Sequence, residues 1–318
     1  MRYPLKFRPI LKSLIWGGEK IKSFKSLDVE QTMIGESWEL SGVDGNESIV
    51  TNGELAGRSI KSLLSEYGAN LVGKSNYERF GDEFPLLIKF IDAKQDLSIQ
   101  VHPNDELAKV RHNSKGKSEM WYVIDADEGA KLRSGFAAET SAAEYLASVE
   151  SDTVTDILQE YEVAAGDLFF LPAGRVHSIG AGCLIAEIQQ TSNITYRIYD
   201  FNRKDANGAT RELHTELAVD AIDYTFERDY RTKYDRESRN AQVKMVDCDY
   251  FKTSIYNLTD GIILDCRLID SFVIFICVEG YATINGEAVQ RGETVLISAL
   301  TSKININTEG CKLIETHI

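Results

Sequence analysis

Two segments of the chain carry one pattern: Val163–Ala173 reads VAAGDLFFLPA and Val289–Ala299 reads VQRGETVLISA. In each, an apolar residue, two spacers, a glycine and an acid lead into an apolar run that ends on a small residue. A turn feeding an inward-facing strand, used twice, points to one β unit built in two copies. The copies then diverge. The first continues through Pro172 and Gly174 to His177, whereas the second carries Ser298, Leu300 and Lys303 at those offsets. Only the first copy keeps a side chain suited to holding a metal.

The remaining pattern agrees with two mainly β units. At 318 residues the chain exceeds one average domain and falls short of three. Short apolar or alternating runs sit between Gly, Asn and Asp signals: SWEL, PLLIKFI, LSIQV, EMWYVI, DLFFL, CLIAEIQQ and ITYRIYDF. Helical spacing is confined to Ile60–Tyr67, to roughly Ala138–Ser148 and to Val154–Tyr161, which predicts helical insertions in a β scaffold. FERDYRTKYDRESRN, from Phe226 to Asn240, is dense in charge and free of aliphatics. It reads as a linker or exposed connection dividing residues 1–235 from 236–318.

Composition narrows the functions. A net charge of −14 argues against nucleic acid as a partner and obliges any site for an anion to gather Lys and Arg locally. The apolar runs Ser271–Val278 and Thr294–Ala299 fall well short of the roughly 18–20 residues that span a bilayer, so no membrane segment is expected. MRYPLKFRPILKSLIWGG has no continuous apolar stretch or small-residue cleavage site, and a cytoplasmic location follows as the expectation. Five cysteines, an odd number without CxxC pairing, read as reduced, buried thiols.

From Gly166 to His177, GDLFFLPAGRVH spells glycine, five residues, Pro-x-Gly, two residues and His. Physically this is a turn, an inward strand, a tight corner and an imidazole projected inward. Upstream, in SIQVHPN, strand alternation puts Ser98, Gln100 and His102 on one face. Seventeen residues after His102, KSEMW opens another strand with Glu119. Two imidazoles, a carboxylate and an amide oxygen form a mixed N/O set suited to one Zn²⁺ per chain and compatible with other first-row divalents. His112, His214 and His317 lack such partners and read as structural or surface residues. The Gly166–His177 spacing is that of the second cupin motif, although Ala181 stands where an asparagine is usual and Gln-x-His replaces the typical His-x-His. The expected fold is mainly β: two cupin-type (jelly-roll) barrels with helical insertions, the second without metal ligands.

LSIQVHPND, KSEMWYV, LPAGRVH and an arginine ten residues after a glutamate together resemble the type I mannose-6-phosphate isomerases, in their short two-cupin bacterial form. The resemblance extends over LIWGGEKI, GESWELS and PLLIKFIDAKQDLSIQVHP, hence nearly the whole chain. It implies reversible conversion of mannose 6-phosphate to fructose 6-phosphate through a cis-enediol, with a phosphorylated hexose as partner. It also places the family's metal ligands on Gln100, His102, Glu119 and His177, its catalytic arginine on Arg197, and substrate-lining residues on Ser98 and Lys117. A lysine that longer members carry six residues after the arginine is here Arg203, which suits a phosphate but not a base. Ile179 and Asn193 replace a tyrosine and an aspartate of those members, so a proton shuttle through either group does not apply.

Glu187 is the candidate acid–base group, with a salt-bridge partner for Arg197 or Lys117 as the plainer reading. Lys117, two residues from Glu119, shares its strand face. Trp16 and Trp38 read as core aromatics rather than sugar-stacking platforms. Two rivals remain: another metal-dependent cupin enzyme, a sugar isomerase or dioxygenase, and a non-catalytic sugar-binding cupin. Gln100 in place of a His and the Arg197/Arg203 pair disfavour redox chemistry. Monomer and homodimer stand equally open.

Overall fold

The run CLIAEIQQ becomes the strand Cys183–Gln190, buried along its whole length because it lies between Leu86–Ala93 and Glu119–Ala126. This trio is the centre of a six-stranded antiparallel sheet, completed by Ile10–Gly18, Ile34–Leu40 and Leu168–Leu171. Facing it is a five-stranded sheet in the order Tyr196–Tyr199, Ile99–Val101, His177–Ile179, Lys131–Phe136, Leu158–Glu162. Trp121, Val123, Phe169 and Ile185 from the first sheet pack on Leu132, Tyr161 and Ile179 from the second. The structure is a computed structural model and describes residues 3–204 and 207–318.

The second unit contributes seven strands to an eight-stranded sheet built around two long strands, Val273–Ile284 and Lys303–His317. Its own core joins Tyr256, Phe275, Cys277, Val295, Ile297 and Leu313. The fold is mainly β and of cupin type, as the motifs predict, but the sheets do not close into complete barrels. Instead, two facing sheets form the first unit and one folded sheet the second.

The repeat survives in atomic detail. Val123 donates to the Asp167 carbonyl (2.9 Å) and accepts from the Gly166 N–H (2.8 Å). Cys277 makes the same pair of bonds to Glu293 (3.0 Å) and Gly292 (2.8 Å). Both glycines have positive φ, 90° and 83°, a region that glycine enters without steric cost.

The two units share structure. Leu5–Lys6, at the start of the chain, pairs with Thr294–Ile297 of the second sheet, and Lys6 Nζ lies 2.9 Å from Glu293. One apolar core runs from Leu5 and Phe24 through Phe84 and Phe90 to Phe272 and Ile314. The Asp270 carboxylate accepts the N–H groups of Lys74 (2.8 Å) and Ser75 (2.9 Å), which open the helix Lys74–Phe80. The segment 226–240 forms no regular element, yet it is strapped down rather than free. Thr232 donates to the Leu168 carbonyl (2.8 Å), Tyr234 Oη to the Gly166 carbonyl (2.7 Å), and Arg236 pairs with Asp167 at 2.7 Å.

Helix Ile60–Tyr67 lies where its spacing predicts, and Ala142–Glu150 overlaps the second expected helix with a Ser141/Glu144 capping box. Val154–Tyr161 does not form a helix. A short 3₁₀ turn, Val154–Ile157, leads into the edge strand Leu158–Glu162, where pairing with Lys131–Phe136 overrides the local pattern. Helices Lys20–Lys25, Asp105–His112 and Thr215–Ala221 were not anticipated. All five cysteines are unpaired, four of them buried and Cys248 half-buried. No described helix is long and apolar enough to cross a membrane.

Candidate active site

Gln100 is the middle residue of the strand Ile99–Val101, and the register sets His177 beside it on one neighbouring strand and Arg197 on the other. His102 follows one residue after that strand, where its carbonyl accepts the Gly174 N–H (2.9 Å) and ties the Pro/Gly corner in place. Glu119 opens the central strand of the opposite sheet. The Ser118 hydroxyl accepts the Ala173 N–H (3.1 Å) and holds the same corner from the other side. Three segments distant in sequence thus deliver Gln100 with His102, Glu119 and His177 to one spot.

The geometry at that spot is that of a metal cradle. The His102 and His177 Nε2 atoms lie 3.6 and 3.2 Å from the Glu119 carboxylate, and all three side chains are buried. Each imidazole donates its Nδ1 proton to a carbonyl, His102 to Ile194 (2.9 Å) and His177 to Arg175 (2.8 Å). The tautomer is thereby fixed with both Nε2 lone pairs facing inward, the arrangement that outer hydrogen bonds impose on metal-ligating histidines. Burial holds the His177 imidazole down at about 3 and His102 well below its ordinary range, so both stay neutral. His102 Nε2 and Glu119 Oε1 have no hydrogen-bond partner, which buried polar atoms rarely tolerate, and Glu119 Oε2 meets the Lys117 ammonium. A divalent cation fits this donor set. The Gln100 amide nitrogen lies 3.2 Å from His177 Nε2, and a half-turn of the amide presents its oxygen instead.

Beside the cluster a cavity of about 360 Å³ is lined by Ser98, Gln100, Lys117, Glu187, Arg197 and Trp16. Lys117 Nζ lies 2.9 Å from Glu119, as its spacing predicts. Glu187 pairs with neither Arg197 nor Lys117 but with the buried Lys89 (3.1 Å), and it accepts the Trp121 indole N–H (2.9 Å). Burial alone pushes the Glu187 carboxyl up; the charges of Lys89 and Lys117 outweigh it and hold the group ionised. Burial, followed by the negative charge of Glu187, pushes Glu119 up.

Arg203 departs from its expected place. It does not line the cavity; its guanidinium is drawn to the Asp200 carboxylate and the Asp96 carbonyl. Arg211 and His214 line the cavity instead, as do Lys89 and Glu36. Of these four, only His214 was named in the sequence, as a structural or surface residue, and its place on the cavity wall corrects that reading. Lys89 sits at an inward position of PLLIKFI, where a cation amid apolar neighbours was the available signal. Arg211 and His214 lie in a stretch without periodicity. Trp16 is both a core residue and part of the cavity wall.

A cupin scaffold that gathers two neutral imidazoles and a carboxylate beside a cation-lined cavity has the makings of an enzyme, and sequence comparison narrows which kind. Residues 5–130 match the catalytic domain of type I phosphomannose isomerase, and residues 241–318 match the mannose-6-phosphate isomerase cupin domain. Mannose-6-phosphate isomerase ManA of Bacillus subtilis is 35% identical over 92% of both chains. A Streptococcus mutans mannose-6-phosphate isomerase is 38% identical over 70% of this chain and 68% of its own. A crystal structure of mannose 6-phosphate isomerase from Bacillus subtilis superposes with a TM-score of 0.88 at 30% identity, covering 99% of each chain. The chain belongs to the mannose-6-phosphate isomerase family and is an aldose–ketose isomerase.

Proposed function

We propose that this protein interconverts mannose 6-phosphate and fructose 6-phosphate in the cytoplasm, using one zinc ion per chain held by Gln100, His102, Glu119 and His177. The observation that carries the reading is the convergence of two inward-facing imidazole lone pairs on a fully buried carboxylate, with the Lys117 ammonium beside it. When bound, the ion supplies electrophilic stabilisation of the negative charge that develops on substrate oxygens as the cis-enediol forms.

The chain's own residues supply the rest. Glu187 carries the proton from C2 to C1 through its Oε1, the oxygen that lies 3.1 Å from the Lys89 ammonium, while its Oε2 accepts the Trp121 indole N–H. Lys89 keeps this carboxylate ionised in the resting cavity, and the negative charges of substrate and enediolate raise its proton affinity at the moment of transfer. Lys117 and Ser98 orient sugar hydroxyls from the cavity wall, and Arg197 holds an anionic oxygen through its planar fork. The division into a catalytic unit, 1–235, and a ligand-free unit, 236–318, belongs to the same proposal.

Metal analysis of the purified protein, paired with coupled assays on mannose 6-phosphate and glucose 6-phosphate, tests this. Turnover of the mannose ester alone, lost with chelator and restored by zinc, is the expected result. Full activity after complete metal removal would overturn it.

A further inference from the structure

The cavity is electrically polarised. At its metal end three carboxylates, Glu36, Glu119 and Glu187, face two ammonium groups, Lys89 and Lys117. At its other end lie the guanidinium groups of Arg197 and Arg211, with Arg203 outside the lining and paired, like Arg211, with the Asp200 carboxylate. In a chain of net charge −14 this local positive excess is the feature that an anion would find.

The three arginines are not equivalent. Arg203 is committed elsewhere: Nη2 to the Asp200 carboxylate, Nε to the Asp200 carbonyl (3.3 Å) and Nη1 to the Asp96 carbonyl. Arg197 donates Nη1 to the Glu212 carbonyl (3.0 Å), while its Nε is buried without an acceptor. Burial, and then the charge of Arg211, lowers the proton affinity of the Arg197 guanidinium, so an anion between the two relieves a strain present in the cavity. Arg211 gives Nε (2.7 Å) and Nη2 to Asp200, two of the five donors of its fork, and its side chain still lines the cavity. Asp200 is itself buried and is held well ionised by Arg211 and Arg203 against the effect of burial, so it fixes the plane of the Arg211 fork. His214 completes this end. Its Nδ1 accepts the Arg197 N–H (3.1 Å), which leaves the ring proton on Nε2.

We infer that Arg211, oriented by Asp200, is the second arm of the phosphate clamp beside Arg197, and that it sets the enzyme's preference for phosphorylated over free sugar. Arg203 serves instead as the tether that anchors Asp200. This inference rests on the proposed sugar-phosphate reading and sharpens it. A phosphate gripped at the arginine end directs C1 and C2 of the sugar toward the acidic, metal-binding end, because the charge pattern rejects the reverse orientation.

Arg211→Gln removes the charge and the fork but keeps a polar N–H at the ε position, and Arg211→Lys keeps the charge without the fork. In the zinc-loaded enzyme, KM for mannose 6-phosphate and the Kd of inorganic phosphate, measured by calorimetry, are expected to rise together by about tenfold to a hundredfold in Arg211→Gln. The rise in Arg211→Lys is expected to be smaller, with kcat changed far less than KM in both variants. Phosphate affinity within twofold of wild type in a folded Arg211→Gln enzyme overturns the inference. The two claims separate cleanly: a wild-type enzyme that does not turn over mannose 6-phosphate refutes the functional reading, while the phosphate titration still decides the role of Arg211.

Discussion

From their common turn, the two units run in matching register. Glu119 opposite Leu171 in the first becomes Val273 opposite Ile297 in the second. By the same correspondence Trp121 becomes Phe275, Glu187 becomes Glu315 and Lys89 becomes Ser254. The backbone was kept while the interior exchanged charge for apolar surface. Glu315 remains buried, but its partners are the His317 imidazole at 2.6 Å and the Gln242 amide at 3.4 Å in place of a lysine. At the offset of His177 stands Lys303, exposed at the start of its strand. One interior therefore accepts the desolvation of charges, which ion pairing offsets, and the other gains from apolar burial.

Breaking the first interior should cost chemistry. His177→Ala is expected to lower turnover by roughly a thousandfold or more and, on the proposed metal-dependent reading, to lower the divalent metal found in elemental analysis. A variant that keeps full activity would erase the contrast between the units. Breaking the second interior should cost stability instead. Phe275→Ala removes a fully buried ring and is expected to lose about 3–5 kcal/mol in urea unfolding, with kcat per folded molecule unchanged. A comparable loss of kcat would show that the second unit takes part in the reaction.

Smaller effects probe how the units are joined. The N–H groups of Ser75 and then Lys74 hold the Asp270 carboxyl below its ordinary value of 3.8. A depressed carboxylate stabilises the fold fully above that ordinary value, and the contribution is lost as pH falls through the lower folded one. Asp270→Asn should therefore cost about half a kcal/mol at neutral pH, allowing for its exposure, and flatten the acid limb of the stability profile. An unchanged acid limb would remove Asp270 from the account. Lys303→Ala should be the mildest change, within about 0.5 kcal/mol and without effect on metal content. A drop in activity there would mean that the second copy has kept a working role at the metal position.

How much of this was legible beforehand depends on the range of the interaction. Cys183–Gln190 was readable because every residue in it suits a central strand, and the side chains now seen around Glu119 were readable because strand period and motif spacing are local rules. Helix Asp105–His112 carried an overlooked signal: Asn104 caps it by accepting the Leu107 N–H, with Asp105 and Glu106 in the first turn. The strand Leu158–Glu162 was misread because VTDILQEY has helical spacing and only its neighbour corrects it. Arg203 was misplaced because a position six residues from Arg197 says nothing about Asp200, which captures its guanidinium. Arg211 and Lys89 matter through partners brought close by folding alone.

The pairing of Leu5–Lys6 with Thr294–Ile297 sets an order on the life of the nascent chain. Residues 5 and 6 leave the ribosome well ahead of their partner strand, which emerges roughly 290 residues later, at about 5–20 residues per second. Until then the edge of the second sheet does not exist, and Leu5 has no apolar neighbour there to bury it. All residues of the metal-binding cluster have left the ribosome long before this last closure. The cluster can assemble early, but the enclosing core is sealed only after the strand Thr294–Ile297 has emerged.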